Sequence, residues 1–183
     1  FEEEPNTVLF FGRIWPYKGL EYLIKAEPLI SSFLPDLNIV IAGEGESFER
    51  YNKMIKNSSS FTIKNYRVSN DELSELFQKA AVVVLPYIEA TQSGIITIAF
   101  AYGKPVVITD VGSLAEVVED GKTGYVVAPR SSFALSKAIV KLIQNKKLRR
   151  KMGKKALDSS QSIISWETIS KKSLKTYRMA LEN

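Results

Sequence analysis

Short apolar, β-branched runs alternate with amphipathic stretches along the whole chain, the pattern of a parallel sheet covered by helices on both faces. The runs predict six strands: Val8 to Ile14, Asn38 to Ala42, Phe61 to Asn65, Val82 to Leu85, Pro105 to Thr109 and Tyr125 to Val127. Within Gly19 to Phe33, the residues Leu20, Leu23, Ile24, Ile30 and Phe33 recur at broadly helical spacing. Pro28 in that stretch predicts a kink or an end, because proline removes a backbone donor. Asn70-Asp71-Glu72-Leu73 predicts a helix start with Asn70 as cap, leading through Leu76 and Phe77 to Ala81. An apolar helix follows Gly94 and ends near Tyr102, Ser131 or Ser132 opens another over Phe133 to Ile143, and a last helix runs from about Ser165 through Tyr177 to near Leu181. The fold class expected is α/β, a doubly wound parallel sheet of about six strands. No repeat, low-complexity linker or break in composition divides residues 1–183, so one domain is expected.

Composition narrows the chemistry. A chain of 183 residues buries roughly 70% of its unfolded surface and stands on a hydrophobic core alone. It has no cysteine and no histidine, which removes thiolate nucleophiles, Cys/His zinc sites and an imidazole base. Carboxylates, hydroxyls, backbone amides and cations are left, and no metal is expected. The lack of cysteine fits a reducing cytoplasm. There is no signal-like leader and no apolar run of about 18 residues that could span a bilayer, so the chain reads as a soluble fragment.

The net charge is +5, and much of the excess sits in Lys146-Lys147-Leu148-Arg149-Arg150-Lys151 and Lys154-Lys155. The expected reading is a solvated helix face; as a functional patch it would engage an anionic membrane surface or nucleic acid. No nucleic-acid recognition motif accompanies it, and no nucleic-acid partner is expected.

In an open α/β sheet, ligands collect outside the carboxyl ends of the strands. The loop after the first strand, Gly12-Arg13-Ile14-Trp15-Pro16-Tyr17-Lys18, joins a glycine that admits a bulky anion to two cations able to converge on it, and a diphosphate is the best target. The competing reading has Arg13 and Lys18 as solvated charges. The loop after the fourth strand, Pro86 to Gly94, is small and polar and leaves backbone N–H groups free at a helix N-terminus, a seat for phosphate oxygens, against an ordinary capped turn. Gly43-Glu44-Gly45-Glu46 lacks the third glycine of a dinucleotide fingerprint, since Phe48 stands there, and reads as a flexible turn passing close to a ligand or to another domain.

Taken in order, Phe10-Phe11-Gly12-Arg13 with Lys18-Gly19, Ile41-Ala42-Gly43-Glu44-Gly45, Val84-Leu85-Pro86-Tyr87, Tyr102-Gly103-Lys104-Pro105-Val106-Val107 and Gly121-Lys122-Thr123-Gly124-Tyr125-Val126-Val127 resemble the carboxyl-terminal, donor-binding half of retaining glycosyltransferases of the GT-B fold, the group 1 family. The resemblance covers nearly the whole chain, including a terminal helix with Trp166-Glu167. It implies a Rossmann-like domain that binds a nucleotide-diphosphate sugar as donor substrate, with no cofactor. It implies transfer of that sugar to an acceptor hydroxyl with retention, in bacterial cell-surface polysaccharide or glycolipid synthesis. By the same resemblance, Arg13 and Lys18 grip the diphosphate and Gly12 admits it. Tyr66, Arg67 and Val68 hold the nucleobase, and Thr91, Gln92, Ser93, Gly94 and Ile95 face the diphosphate and the sugar. The acceptor half would precede Phe1-Glu2-Glu3-Glu4-Pro5, read as the tail of an interdomain linker, so the chain alone should not turn over. A cytoplasmic location is implied, peripheral at the inner face of the membrane where the basic run meets lipid.

One departure stands out. The family carries two glutamates eight positions apart, and here those positions hold Ala90 and Ile98. Ile98 cannot accept hydrogen bonds from ribose hydroxyls. Glu89, one residue before the first position, is the candidate for the sugar-facing catalytic role, against a simple surface carboxylate. A noncatalytic nucleotide-sugar-binding module and a sugar-nucleotide epimerase-like domain are the alternatives.

Overall fold

The computed structural model describes residues 2–45, 48–162 and 166–181. In chain order it contains β1 (Thr7–Phe11), α1 (Leu20–Ser31), β2 (Asn38–Ala42), α2 (Glu49–Asn52), β3 (Phe61–Lys64), α3 (Asn70–Lys79), β4 (Val82–Leu85), α4 (Gly94–Ala101), β5 (Val106–Thr109), α5 (Leu114–Val117), β6 (Gly124–Val127), α6 (Ser132–Gln144), α7 (Lys146–Ser162) and α8 (Trp166–Leu181), with single 3-10 turns at Pro16–Lys18 and Ser58–Ser60. Successive strand residues point to opposite faces, and both faces are apolar. Val8, Phe10, Ile39, Ile41, Val82 and Val84 join α1 and α6 in one layer. Leu9, Val40, Ala42, Val83, Leu85, Val106 and Ile108 join α3, α4 and α5 in the other. Burial on two sides is why these strands read as continuous apolar runs.

The six strands are all parallel, in the order β3-β2-β1-β4-β5-β6. Chain order reverses between β1 and β4, so the loops leaving those two strands part in opposite directions and open a crevice at the carboxyl edge.

Three local expectations change. β1 ends at Phe11 rather than Ile14, because Gly12 turns to a φ of 118° and breaks the extended path; Ile14 rejoins only through a single bridge to Gly45. α1 passes through Pro28, which lies exposed near the helix end where one lost hydrogen bond is outweighed by the burial of Ile30. The cap of α3 is Ser69, whose Oγ accepts from the Glu72 N–H at 3.2 Å, not Asn70. Ser131 caps α6. Ser165, the expected start of the last helix, and Phe1 of the expected linker lie outside the described residues.

The basic run forms α7, a helix the hydrophobic pattern did not draw. Lys146, Lys147, Arg150, Lys151 and Lys154 lie on its exposed side, as a solvated face requires. Arg149 does not: it is 1% exposed. Its Nη1 donates to the Leu142 and Ile143 carbonyls at the end of α6, at 3.0 and 2.8 Å, and its Nε and Nη2 donate to Glu3 Oε1 at 3.2 and 2.8 Å. Lys104, itself buried, approaches Glu3 Oε2 at 3.8 Å. One guanidinium thus closes the end of α6 and fastens the amino-terminal segment to it. Arg149→Ala should lower unfolding free energy in urea titrations by about 3–5 kcal/mol, the scale for removing one member of a buried pair. Arg149→Lys should recover only part of the loss, because an ammonium cannot reproduce the planar fork.

Candidate functional site

The first and fourth strand-end loops are locked together at the crevice. Gly19, with φ of 63°, ends the 3-10 turn and starts α1; a Cβ there would stand 2.0 Å from the Pro86 carbonyl oxygen. The Ile88 N–H donates to the Tyr17 carbonyl at 2.8 Å. Only a residue without a side chain allows that approach.

Lys18 is set into this junction. Its Nζ donates to the Tyr87 hydroxyl at 2.6 Å and lies 3.8 Å from the centroid of the Tyr87 ring and 5.4 Å from that of Tyr17. Burial lowers the Lys18 pKa to about 8, since a low-dielectric wall disfavours the charged form. At neutral pH the ammonium remains mostly protonated, so the crevice holds a partly desolvated cation. The Tyr87 hydroxyl, pushed up to about 12 chiefly by burial, stays a neutral phenol. It also shares a 3.2 Å hydrogen bond with Ser93 Oγ, the residue before α4. The Tyr87 backbone is held by Thr109 Oγ1, which donates to its carbonyl at 2.6 Å.

Of the residues expected at the site, the structure brings Gly12, Lys18, Ser93 and Ile95 together: a Cβ on Gly12 would stand 3.8 Å from the Ile95 side chain. Ser93 precedes α4 without capping it through its side chain. Thr91 and Gln92 are exposed beside it. Gln92, Ser93, Gly94, Thr97 and Ser113 line a cavity of about 340 Å³, with Ile169 of α8 on its wall.

Among the described residues Arg13 and Lys18 share no side-chain partner. Lys18 leans on Tyr87, while Arg13 is exposed and lines, with Trp15, Glu44 and Gly45, a recess of about 280 Å³. Tyr66, Arg67 and Val68 follow β3, two strands away. The Tyr66 hydroxyl donates to Glu72 Oε1 at 2.7 Å, and the same oxygen takes the Lys64 ammonium at 2.8 Å, which fixes an exposed ring beside a half-exposed ion pair. Lys64 holds the Glu72 carboxyl below its usual range. Glu89 is exposed in the fourth loop. Ile98 is partly buried against the α3–α4 layer, a packing position.

The Gly43–Gly45 stretch is not a loose turn. Gly43 sits against the Gly12 carbonyl, where a Cβ would fall 2.1 Å away, and the Ile14 N–H donates to the Glu44 carbonyl at 2.9 Å. Its glycines serve contact with the first loop; Glu46 lies outside the described residues.

Tyr87 is the group that motif reading missed as a site residue. Val84-Leu85-Pro86-Tyr87 was visible as a motif, but nothing local ties Tyr87 to a lysine 69 positions away. Glu72 was missed likewise: it was visible only as an early helical acid, whereas it also fixes Tyr66.

A Rossmann-like sheet with a cationic crevice at its switch point, matching the C-terminal half of a GT-B fold, defines the class of domain. The chain belongs to the glycosyl transferases group 1 family, which it matches over residues 1–158. It is 27% identical over 186 residues to an uncharacterized glycosyltransferase of Methanocaldococcus jannaschii, covering 99% of this chain and 47% of that protein. It is 30% identical over 152 residues to a phosphatidyl-myo-inositol mannosyltransferase of Mycobacterium leprae, covering 80% of this chain and 39% of that protein. The crystal structure of Anabaena HepE in complex with UDP superposes with a TM-score of 0.84 at 20% identity, over 95% of this chain and 49% of that one. The C-terminal domain of a Francisella tularensis group 1 family protein, LpcC, gives 0.78 at 21% identity over 88% of each chain. The chain spans about half the length of the curated relatives it matches.

Gly19→Ala tests the junction. It should cost about 1–3 kcal/mol of stability, the scale of a strained backbone position, and the displaced Pro86 to Gly94 loop should show faster amide hydrogen exchange.

Proposed function

We propose that this chain is the donor-binding domain of a two-domain retaining glycosyltransferase, and that a nucleotide-diphosphate sugar lies across the β1/β4 crevice. The observation that carries the reading is the partly desolvated Lys18 ammonium, held through Tyr87 beside Ser93 at the start of α4, whose Ile95 lies against Gly12, where the sheet order reverses. In this reading the diphosphate sits between Lys18, Arg13 and the free amides at Ser93 to Ile95, with the base along Tyr66 to Val68 and the sugar toward Thr91, Gln92 and Glu89. As the bond from the anomeric carbon to the phosphate oxygen breaks, negative charge grows on the leaving diphosphate, and the two cations stabilise it. The acceptor hydroxyl forms the new bond from the same face, and its proton passes to the departing phosphate oxygen. HepE, solved in complex with UDP, supports a nucleoside diphosphate as the ligand class.

The acceptor half would lie ahead of residue 1, and the chain by itself would bind donor without turning it over. The outer side of α8 supports a further packing partner: Ile169, Leu174, Tyr177 and Leu181 are exposed large apolar residues on one helix. We assign their covering to that second half. The basic side of α7 supports a peripheral role at an anionic membrane, since Lys146, Lys147, Arg150, Lys151 and Lys154 are all exposed on it, and each such residue near a charged surface contributes about 1 kcal/mol. Among the described residues no helix is long and apolar enough to cross a membrane.

Calorimetry with UDP- and GDP-linked sugars should give saturable binding to one of them, with the matching nucleoside monophosphate weaker. Arg13→Ala and Lys18→Ala should each cost about 1–3 kcal/mol, the scale for charged hydrogen bonds. Absence of binding by every sugar nucleotide, or binding indifferent to both substitutions, would sink the assignment. Vesicles of phosphatidylglycerol should retain the protein where phosphatidylcholine vesicles do not, and retention should vanish near 1 M salt, where the screening length is about 3 Å. Retention that survives Lys147→Glu combined with Lys151→Glu would remove α7 as the membrane contact.

A further inference from the structure

Tyr87 is 1% exposed, yet its hydroxyl bonds a side chain from each of the two loops of the crevice. The phenol oxygen receives a hydrogen from Lys18 Nζ at 2.6 Å, and Ser93 Oγ lies 3.2 Å away on the other side. Lysine can only donate, and a neutral phenol has a single hydrogen. The Tyr87–Ser93 bond can run in either direction; with Lys18 donating in, the phenol hydrogen is available to Ser93 Oγ, and this is the direction the proposal uses. That leaves the serine's own hydrogen free to point elsewhere, and Lys18 keeps two unused ammonium hydrogens. Among the described residues neither Lys18 Nζ nor Ser93 Oγ has a further hydrogen-bond partner.

The two groups therefore form a pair of donors aligned by a third group that is itself fixed. The Tyr87 ring is buried in the α3–α4 layer and its carbonyl is held by Thr109. The groups facing Lys18 are the Tyr17 ring from its own turn and the Tyr87 ring and hydroxyl from the fourth loop. Among the described residues no carboxylate is bonded to the ammonium.

We propose that Tyr87 is a positioning residue whose hydroxyl sets Lys18 and Ser93 as a matched pair of hydrogen-bond donors for one diphosphate. The proposal rests on the donor-site reading above and adds to it the group that presets the geometry. Without the hydroxyl, the long lysine side chain would swing into water and the serine would lose its directed hydrogen bond, so the ligand would have to order both.

The test begins without any ligand. In protein labelled at lysine carbons, the Lys18 resonance should titrate near 8 in the wild type and move up by about one unit or more in Tyr87→Phe, toward the ordinary lysine value, as the ammonium returns to solvent. An unchanged or lowered value would show that the hydroxyl does not hold the lysine, and would overturn the proposal. The second arm measures binding of UDP-glucose and GDP-mannose. Tyr87→Phe should weaken the binding sugar nucleotide about tenfold, Ser93→Ala should weaken it similarly, and the double variant should lose much less than the product of the two. Independent, multiplying losses would also overturn it. If neither sugar nucleotide binds the wild type, the donor-site reading fails, while the lysine titration still decides whether Tyr87 holds Lys18.

Discussion

The site depends on one close approach, the contact of the Gly19 backbone with the Pro86 carbonyl across the β1/β4 boundary. Both loops leave the sheet at its point of reversal, so they diverge unless something draws them back together. The glycine removes the steric barrier, the hydrogen bond from Ile88 to Tyr17 closes the seam, and Lys18 then lies across Tyr87 within reach of its hydroxyl. A side chain at position 19 would separate the two loops by its own width, and the Lys18 to Tyr87 bond would be lost with them. Backbone packing thus brings the cation to the group that holds it.

A half-buried lysine at the end of a parallel sheet has an energetic cost that folding meets in advance. Burial lowers its pKa to about 8, which means the charged form is less comfortable here than in water. The same low dielectric strengthens its attraction to an anion, and the interaction is less screened by salt than that of a surface charge. Arg13 occupies the opposite regime. It is exposed and lies on a flanking recess beside Trp15 and Glu44. In the proposed site one cation is rigid and poised while the other is free to close on a ligand.

The inner strands β1, β2, β4 and β5 were legible because both their faces are buried, and that burial writes itself into the sequence as unbroken apolar runs. Gly12, Lys18 and the loop before α4 were legible because a glycine, a cation and small polar residues at strand ends have few other uses. What stayed hidden were contacts that only topology creates. Tyr87 meets Lys18 because β4 lies beside β1, and no local spacing reveals that neighbour. α7 was obscured for a different reason: its lysine-rich window offers few apolar positions, and Arg149, which reads as one more surface charge, is buried because it closes the end of α6 and takes Glu3. The glycines at 43 and 45 carried a true signal, close approach, but the approach is to the first loop.

The isoleucine at position 98 bears on how the proposed site divides its work. It packs against the α3–α4 layer, so a ribose hydroxyl directed there would lose hydrogen bonds to water and gain none, at a cost of about 1–3 kcal/mol per unsatisfied group. Its neighbour Thr97 is exposed on the cavity shared with Gln92 and Ser93, and offers a hydroxyl beside the position where the family pattern has a carboxylate. A hydroxyl makes a weaker hydrogen bond than an ionised acid. In the proposed reading, discrimination therefore shifts away from the ribose and toward the diphosphate. The most specific polar constellation in the crevice is the one joining Lys18, Tyr87 and Ser93, and the close backbone approach of Gly19 to Pro86 brings the first two within reach of each other.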